Sequence, residues 1–291
     1  MAPQDERYED EKLRVGEALS MDWYDKVDGY DSQFLGEEYE IPHPGLSPEL
    51  TQDVAPLHNG SIILDYTHFS IVMSRSRRLA IYTVVNIDGS QLQDAGRSDK
   101  WRYDSRMDEQ YQSGNEIYRD NDLDRGHLVR RRDPIWGKDA DRANVDTFHF
   151  TNCAPQHKDL NQDTWLGLED YILEHARSNK RKATIFTGPV FRDNDIAYRG
   201  IQLPEEFWKV AAIVKDDGQL SVTAYLISQK GLLRTMQTED ELGPYKTYQV
   251  KVTHIEQLTG LEFRHLREHD AYPTEAVAES FTIESVQDIR V

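Results

Sequence analysis

The stretch "DNDLDRGHLVRRRDP", residues 120–134, sets one histidine behind an Asp-Arg-Gly turn and follows it with three consecutive arginines. The chain that carries it has 291 residues and a formal net charge of −18, so positive charge gathered beside one imidazole calls for a physical reason. Gly126 admits a backbone course that a side chain would oppose, Arg125 offers a planar fork of donors, and His127 is of the type that is neutral near pH 7 and takes a proton from water. Taken singly, a Gly-His pair reads as a structural histidine bonded to backbone, and an arginine run reads as a solvated face. Their adjacency favours Arg130 and Arg131 as phosphate-binding groups.

A second segment, "TNCAPQHKDLNQDTWLGLED" at 151–170, brings two asparagines, two glutamines and four acids to the approach and first turns of one expected helix. Asn161 and Glu169 are eight residues apart, roughly 80° around a helix axis and on neighbouring lines of one surface. Asparagine is a weak helix former and a good neutral oxygen ligand. Trp165, Leu168, Ile172 and Ala176 follow at helical spacing, so one face of 160–178 is expected to pack on a sheet. Strands are expected over 61–74, 77–89 and 182–191, with a hairpin over 207–228 turning at Asp-Asp-Gly. Residues 146–156 read as a strand ending in a Pro-containing loop, 90–123 as irregular, and 253–260 as a short helix with a Thr start and a Gly stop. The pattern is α+β.

Charge divides the chain. Residues 1–55 hold 15 Asp/Glu against 4 Lys/Arg, whereas 97–132 hold 9 Lys/Arg against 8 Asp/Glu. We expect an acidic N-terminal extension over 1–55, wrapped on the surface, and a catalytic domain over 56–291. The first twenty residues are acidic where a signal peptide needs a basic start and an apolar centre, and no apolar run approaches a membrane span. A single cysteine, Cys153, rules out an internal disulfide framework and reads as a small packing residue. The expectation is a cytoplasmic protein, or one exported by a nonclassical route, with no membrane association.

In "DRGH" (124–127), "TNCAPQ" (151–156), "LNQDTWLGLE" (160–169), "TGPVF" (187–191), "LPEEFWKV" (203–210) and "IEQLTGLEF" (255–263), the chain resembles the DNA/RNA non-specific endonuclease family. This is the ββα-metal, or His-Me finger, type of nuclease that includes secreted bacterial nonspecific nucleases and mitochondrial endonuclease G. The resemblance runs from about residue 60 to about 265 and implies a central, mainly antiparallel sheet with flanking helices. It implies a metal-dependent hydrolase acting on DNA and RNA, leaving 5′-phosphate ends, with Mg²⁺ (or Mn²⁺ or another divalent ion) as cofactor.

Carried over residue by residue, His127 would be the general base and Asn161 the protein ligand of the metal. Glu169 would hold one of the metal's waters. Asp124 would orient that water cluster, and Arg125 would neutralise phosphate charge. Asn152 would fix the histidine and border the substrate beside Arg130 and Arg131. The family also uses an arginine upstream, near an aromatic and acid pair that here would be Trp101 and Asp104; Arg97 and Arg102 both qualify, and the reading leans to Arg97.

A noncatalytic nucleic-acid-binding or scaffold protein that keeps the nuclease fold is the alternative, and the joint presence of His127, Asn161 and Glu169 argues against it. A homodimer stays open, and so does an inhibitory role for the acidic extension, against which stands a merely solubilising or oligomer-forming arm.

Overall fold

The computed structural model describes residues 15–97, 99–158, 160, 169, 172–174, 176–235, 246–272 and 280–283. Its strands are β1 (Gly45–Leu46), β2 (Leu64–Tyr66), β3 (Phe69–Met73), β4 (Ala80–Asp88), β5 (Leu123–His127), β6 (Cys153–His157), β7 (Lys182–Val190), β8 (Ile196–Tyr198), β9 (Ile201–Leu203), β10 (Glu206–Val214), β11 (Leu220–Ser228), β12 (Lys246–Val250), β13 (Leu261–Glu262) and β14 (Ser280–Thr282). Eight of them form one sheet in the order β14-β12-β11-β10-β7-β4-β3-β2, antiparallel at every step. Short helices flank it at Pro48–Asp53, Ala140–Asp146, Lys230–Thr235 and Val252–Thr259. The architecture is α+β, with few helices around a central antiparallel sheet.

The strands are apolar on both sides because both sides are covered. Along β10, Phe207 and Ala211 face one core while Trp208, Val210 and Ala212 face the other, the period-two alternation of a pleated strand. The first core receives Leu128, Val129 and Ala154 from the ribbon described below, with Leu160, Leu173 and Ala176 from the residues that follow it. The second receives Val252 and Ile255 of the 252–259 helix together with Phe263. Full burial of side chains such as Trp208, Phe186 and Phe207 contributes about 1.5–3 kcal/mol each.

Residues 15–55 share these cores. Tyr24 packs in the first, Tyr30, Ile41 and Val54 in the second, and β1 pairs with β13. Ser47 caps the 48–53 helix by accepting from the Leu50 amide, with Pro48 in its first turn.

Four local expectations change. The 61–74 stretch is two strands, because Thr67 and His68 turn the chain: His68 has φ +68°, and Thr67 donates its amide and hydroxyl to Asp146 at 2.9 and 2.7 Å. Residues 146–156 run in the opposite sense to that expected, from helix and turn into strand β6. Pro155 is tolerated there because β5 and β6 form a sheet of only two strands, which leaves each strand an unpaired edge. The helix expected at 253–260 starts at Val252, whose amide donates to the Asp270 carboxylate at 2.7 Å, so a distant acid does the work assigned to Thr253; Gly260, at φ +72°, stops it as expected. Finally, Asp124-Arg125-Gly126 is extended strand rather than turn.

Candidate active site

β5 and β6 pair antiparallel, with Asp124 opposite Gln156, Gly126 opposite Ala154 and His127 opposite Cys153. Helical residues follow at Lys158, Leu160, Glu169, 172–174 and 176–178. Gly126 is needed for space rather than for an unusual φ: a Cβ there would stand 2.1 Å from Gln156 Oε1 and 2.6 Å from its Cγ. Strand alternation puts Arg125 on the same side of the ribbon as His127, and Asp124 on the side of Gly126 and Gln156.

The chain leaving the histidine is clamped by Asn152. This side chain is fully buried; its Oδ1 accepts from the Val129 amide at 2.9 Å, and its Nδ2 donates to the carbonyls of Val129 at 2.9 Å and Thr147 at 3.0 Å. Every bond goes to backbone, two of them to Val129, two residues past His127. Asn152 is also expected beside the substrate; its amide is fully buried with both ends engaged.

The His127 ring lies against Trp101, centroids 4.7 Å apart, and Phe148, 5.2 Å apart. Its Nε2 is buried and has no hydrogen-bond partner. Burial first, and then the guanidinium groups of Arg97, Arg131, Arg125 and Arg130, push the imidazole down to about 3. A neutral ring with an unspent nitrogen in the field of four arginines can accept a hydrogen bond, and an anion that offsets those charges would restore its basicity.

Each arginine has its own support. Arg125 donates to Asn115 Oδ1 at 2.6 Å and lies 5.5 Å over the Trp101 ring. Arg131 donates to the Ala95 carbonyl at 2.9 Å and to Asn144 Oδ1 at 3.2 Å, while Asn144 Nδ2 donates to the Gly96 carbonyl at 2.7 Å. Together Arg131 and Asn144 therefore tie down the loop that presents Arg97, whose exposed side chain pairs with Asp99. Arg102 lies elsewhere: it is 7% exposed, it is under the influence of Tyr24 and the Asp146 carboxylate, and its Nε and Nη1 are buried without hydrogen-bond partners. Of the two upstream arginines, Arg97 is among the charges that lower His127 most.

Beneath the arginines lies a buried charge cluster. Glu169 Oε1 is 3.0 Å from Lys209 Nζ, without hydrogen-bond alignment, and Glu169 Oε2 is 3.7 Å from Arg130 Nε. Asp133 is beside them, its carboxyl pushed up to about 7 by burial and by Glu169, against the opposing pull of Arg130 and Lys209. Asn161, the expected metal ligand, lies outside the described residues, as do Trp165 and Leu168. Among the described residues no three His, Cys, Asp or Glu side chains are gathered as a metal site.

Two residues inside the quoted motifs went unassigned in the sequence. Gln156 is 1% exposed with both amide atoms unpartnered, beside Gly126. Lys209 is 1% exposed in the middle of β10. Lys209 could have been found as the one charge inside the apolar run "FWKVAAIV".

The profile of the DNA/RNA non-specific endonuclease family matches residues 46–269. The chain belongs to that family. Among its relatives, an uncharacterized protein, y4fB, of Sinorhizobium fredii is 38% identical over 261 residues, 83% of this chain and 39% of that protein. Mitochondrial endonuclease G of Homo sapiens is 28% identical over 200 residues, 64% of each. The chain thus spans less than two thirds of the length of either relative. A solved chain of the EndoG/EndoGI complex superposes with a TM-score of 0.56 at 18% identity, covering 72% of this chain and 89% of its own, and so shares the fold. The family match extends ten residues upstream of the expected domain start at residue 56, into the segment that carries β1 and the 48–53 helix.

Proposed function

We propose that this chain is a metal-dependent endonuclease that hydrolyses phosphodiester bonds of DNA and RNA with little regard to sequence. The observation that carries the reading is the buried, unpartnered Nε2 of His127, a ring held neutral by burial and by the charges of four arginines. His127 takes a proton from a water, the water oxygen bonds to phosphorus as the P–O3′ bond breaks, and the 3′ oxygen leaves as a hydroxyl by taking a proton from a solvent water, so the other end keeps a 5′-phosphate. Arg97 and Arg125 offset the negative charge that grows on the nonbridging oxygens. Arg130 and Arg131 hold the flanking backbone, contacts that carry little base information.

A hydrated Mg²⁺, or Mn²⁺ in its place, is the ion this reading calls for, and Asn161 would supply it an amide oxygen. Glu169 Oε1 has no aligned hydrogen-bond donor to compete with a water. When bound, such an ion supplies Lewis-acid charge to the phosphate.

Incubating supercoiled plasmid and a structured RNA with the protein in Mg²⁺, then in EDTA, tests this. Cleavage of both in Mg²⁺, abolished by EDTA and by His127→Ala, is expected. Binding without cleavage would return the noncatalytic alternative.

A further inference from the structure

The central sheet carries one ionic side chain that packing does not explain. Lys209 occupies the middle of β10, with Thr187 of β7 opposite on one side and Tyr225 of β11 on the other. Its neighbours at period two, Phe207 and Ala211, are core residues. An apolar side chain would fill the same place without desolvating a charge, a step that costs several kcal/mol before pairing offsets it. The ammonium is nevertheless 1% exposed, donates to Thr187 Oγ1 at 3.1 Å and contacts Glu169 Oε1 at 3.0 Å. The other oxygen of Glu169 faces Arg130, one of the four arginines around His127. A rigid strand thus reaches through the first core to the carboxylate beside the active site.

We propose that Lys209 is a positioning residue of the nuclease site, anchored by Thr187, that fixes the Glu169 carboxylate in the orientation from which it holds a water of the divalent ion. The inference rests on the hydrolytic reading above and adds to it the part played by the sheet. Attachment to β10 gives Glu169 a reference point independent of the loops that carry the arginines. A carboxylate oxygen has two lone pairs, so contact with one ammonium sets the place of Oε1 and leaves it able to accept from a water as well. Groups that orient a metal's waters or ligands typically change metal affinity or activity by about 10–100-fold when removed.

The test uses the full chain with Lys209→Met, which keeps length and loses charge, and Thr187→Val, which removes only the hydroxyl anchor. Mn²⁺ binding is followed by electron paramagnetic resonance, plasmid cleavage gives kcat and KM separately, and thermal melting reports the fold. Lys209→Met is expected to weaken Mn²⁺ binding and lower kcat by about tenfold or more with KM for DNA unchanged. Thr187→Val is expected to fold normally and show the same split, about two- to fivefold, the size of one lost hydrogen bond.

Because Lys209 acts through Glu169, adding either substitution to Glu169→Gln should cost no further activity. Additive losses, or wild-type Mn²⁺ affinity and kcat in a folded Thr187→Val or Lys209→Met, overturn the proposal while leaving the nuclease reading intact. A wild-type protein that neither binds Mn²⁺ nor cleaves overturns both. Should Lys209→Met fail to melt cooperatively, Thr187→Val decides alone.

Discussion

His127 and His149 stand 22 positions apart, the first packed on Trp101 and Phe148 and the second on Tyr24 and Tyr66, and both have their ring pKa lowered first by burial. What separates them is the census of partners. His149 spends both nitrogens: Nδ1 donates to the Asp146 carbonyl at 2.8 Å, and Nε2 shares a hydrogen bond of 2.9 Å with the Tyr24 hydroxyl. Asp104 and Asp146 draw its pKa back up. At His127 Nε2 has no partner, and the charges that act on the ring most strongly are arginines. A buried imidazole whose bonds are complete is part of the scaffold. One left with an unspent nitrogen in a field of cations carries an unexplained cost unless an anion arrives to use it.

Removing each ring is the strongest way to break this comparison. His127→Ala is expected to lower kcat for plasmid cleavage by about 10²–10⁴-fold, the usual contribution of a positioned base, with little change in melting temperature. His149→Ala should do the reverse. It leaves the Tyr24 hydroxyl and the Asp146 carbonyl without a partner and opens a cavity, so a loss of about 2–4 kcal/mol in stability is expected, with turnover per folded molecule retained. Equal losses of activity would erase the distinction.

The two upstream arginines sharpen the same contrast. Arg97 is exposed on a loop tied down by Arg131 and Asn144 and acts on His127, whereas Arg102 is buried near Tyr24 and Asp146, on the His149 side. Arg97→Ala should cost about 10- to 100-fold in kcat while leaving the thermal melt in place, in line with loss of one transition-state donor. Arg102→Ala should shift the melt and spare kcat. If the Arg102 variant is the inactive one, the assignment of roles is reversed.

Much of the site could be read from the chain because its chemistry is concentrated in short motifs. "DRGH" and the arginines after it are contiguous, and the structure keeps His127, Arg125, Arg130 and Arg131 within one field, joined by Arg97 from upstream. Less legible was anything that depends on what lies across the fold. Gly126 read as a turn glycine, yet it is in a strand and is required because Gln156, 30 residues away, fills the space above it. Asn152 read as a neighbour of substrate, and only the ribbon geometry shows its amide spent on backbone.

Tyr24 and Tyr30 looked like part of an acidic appendage because charge dominates the composition of residues 1–55, although a few aromatic side chains suffice to lock such a segment into two cores. Lys209 carries a signal at the level of one residue, a charge where alternation calls for an apolar group; its partner Glu169 is 40 positions distant, and pairing over that separation has no local trace.

A smaller perturbation tests whether the ribbon supports the chemistry as proposed. Gly126→Ala would force a methyl into the Gln156 side chain, at a cost of about 1–3 kcal/mol in stability from overpacking. The double substitution with Gln156→Ala should recover most of the melt by removing the obstructing atoms. Failure of that rescue would place the strain in the backbone rather than in the contact.

The finest distinction is electrostatic. Between its ordinary pKa of 6.5 and the lowered value of about 3, His127 is protonated in the unfolded chain and neutral in the folded one, so the unfolded state binds more protons. Stability from this group is therefore fully present above 6.5 and is lost as pH falls through the folded value; activity should show no acid limb from His127 between about pH 5 and pH 8 in the free enzyme.

Part of the depression comes from Arg97, Arg131, Arg125 and Arg130, and it should yield to anything that neutralises them. Raising NaCl to about 0.5 M, or adding an uncleavable phosphorothioate oligonucleotide, should move the His127 carbon resonances toward protonation at a higher pH. His149 is lowered by burial against the opposing pull of two carboxylates, so the same salt weakens that pull and leaves the ring unshifted or moves it the other way. Two imidazoles that respond alike would mean that the arginine field at His127 is not what distinguishes the reactive ring from the structural one.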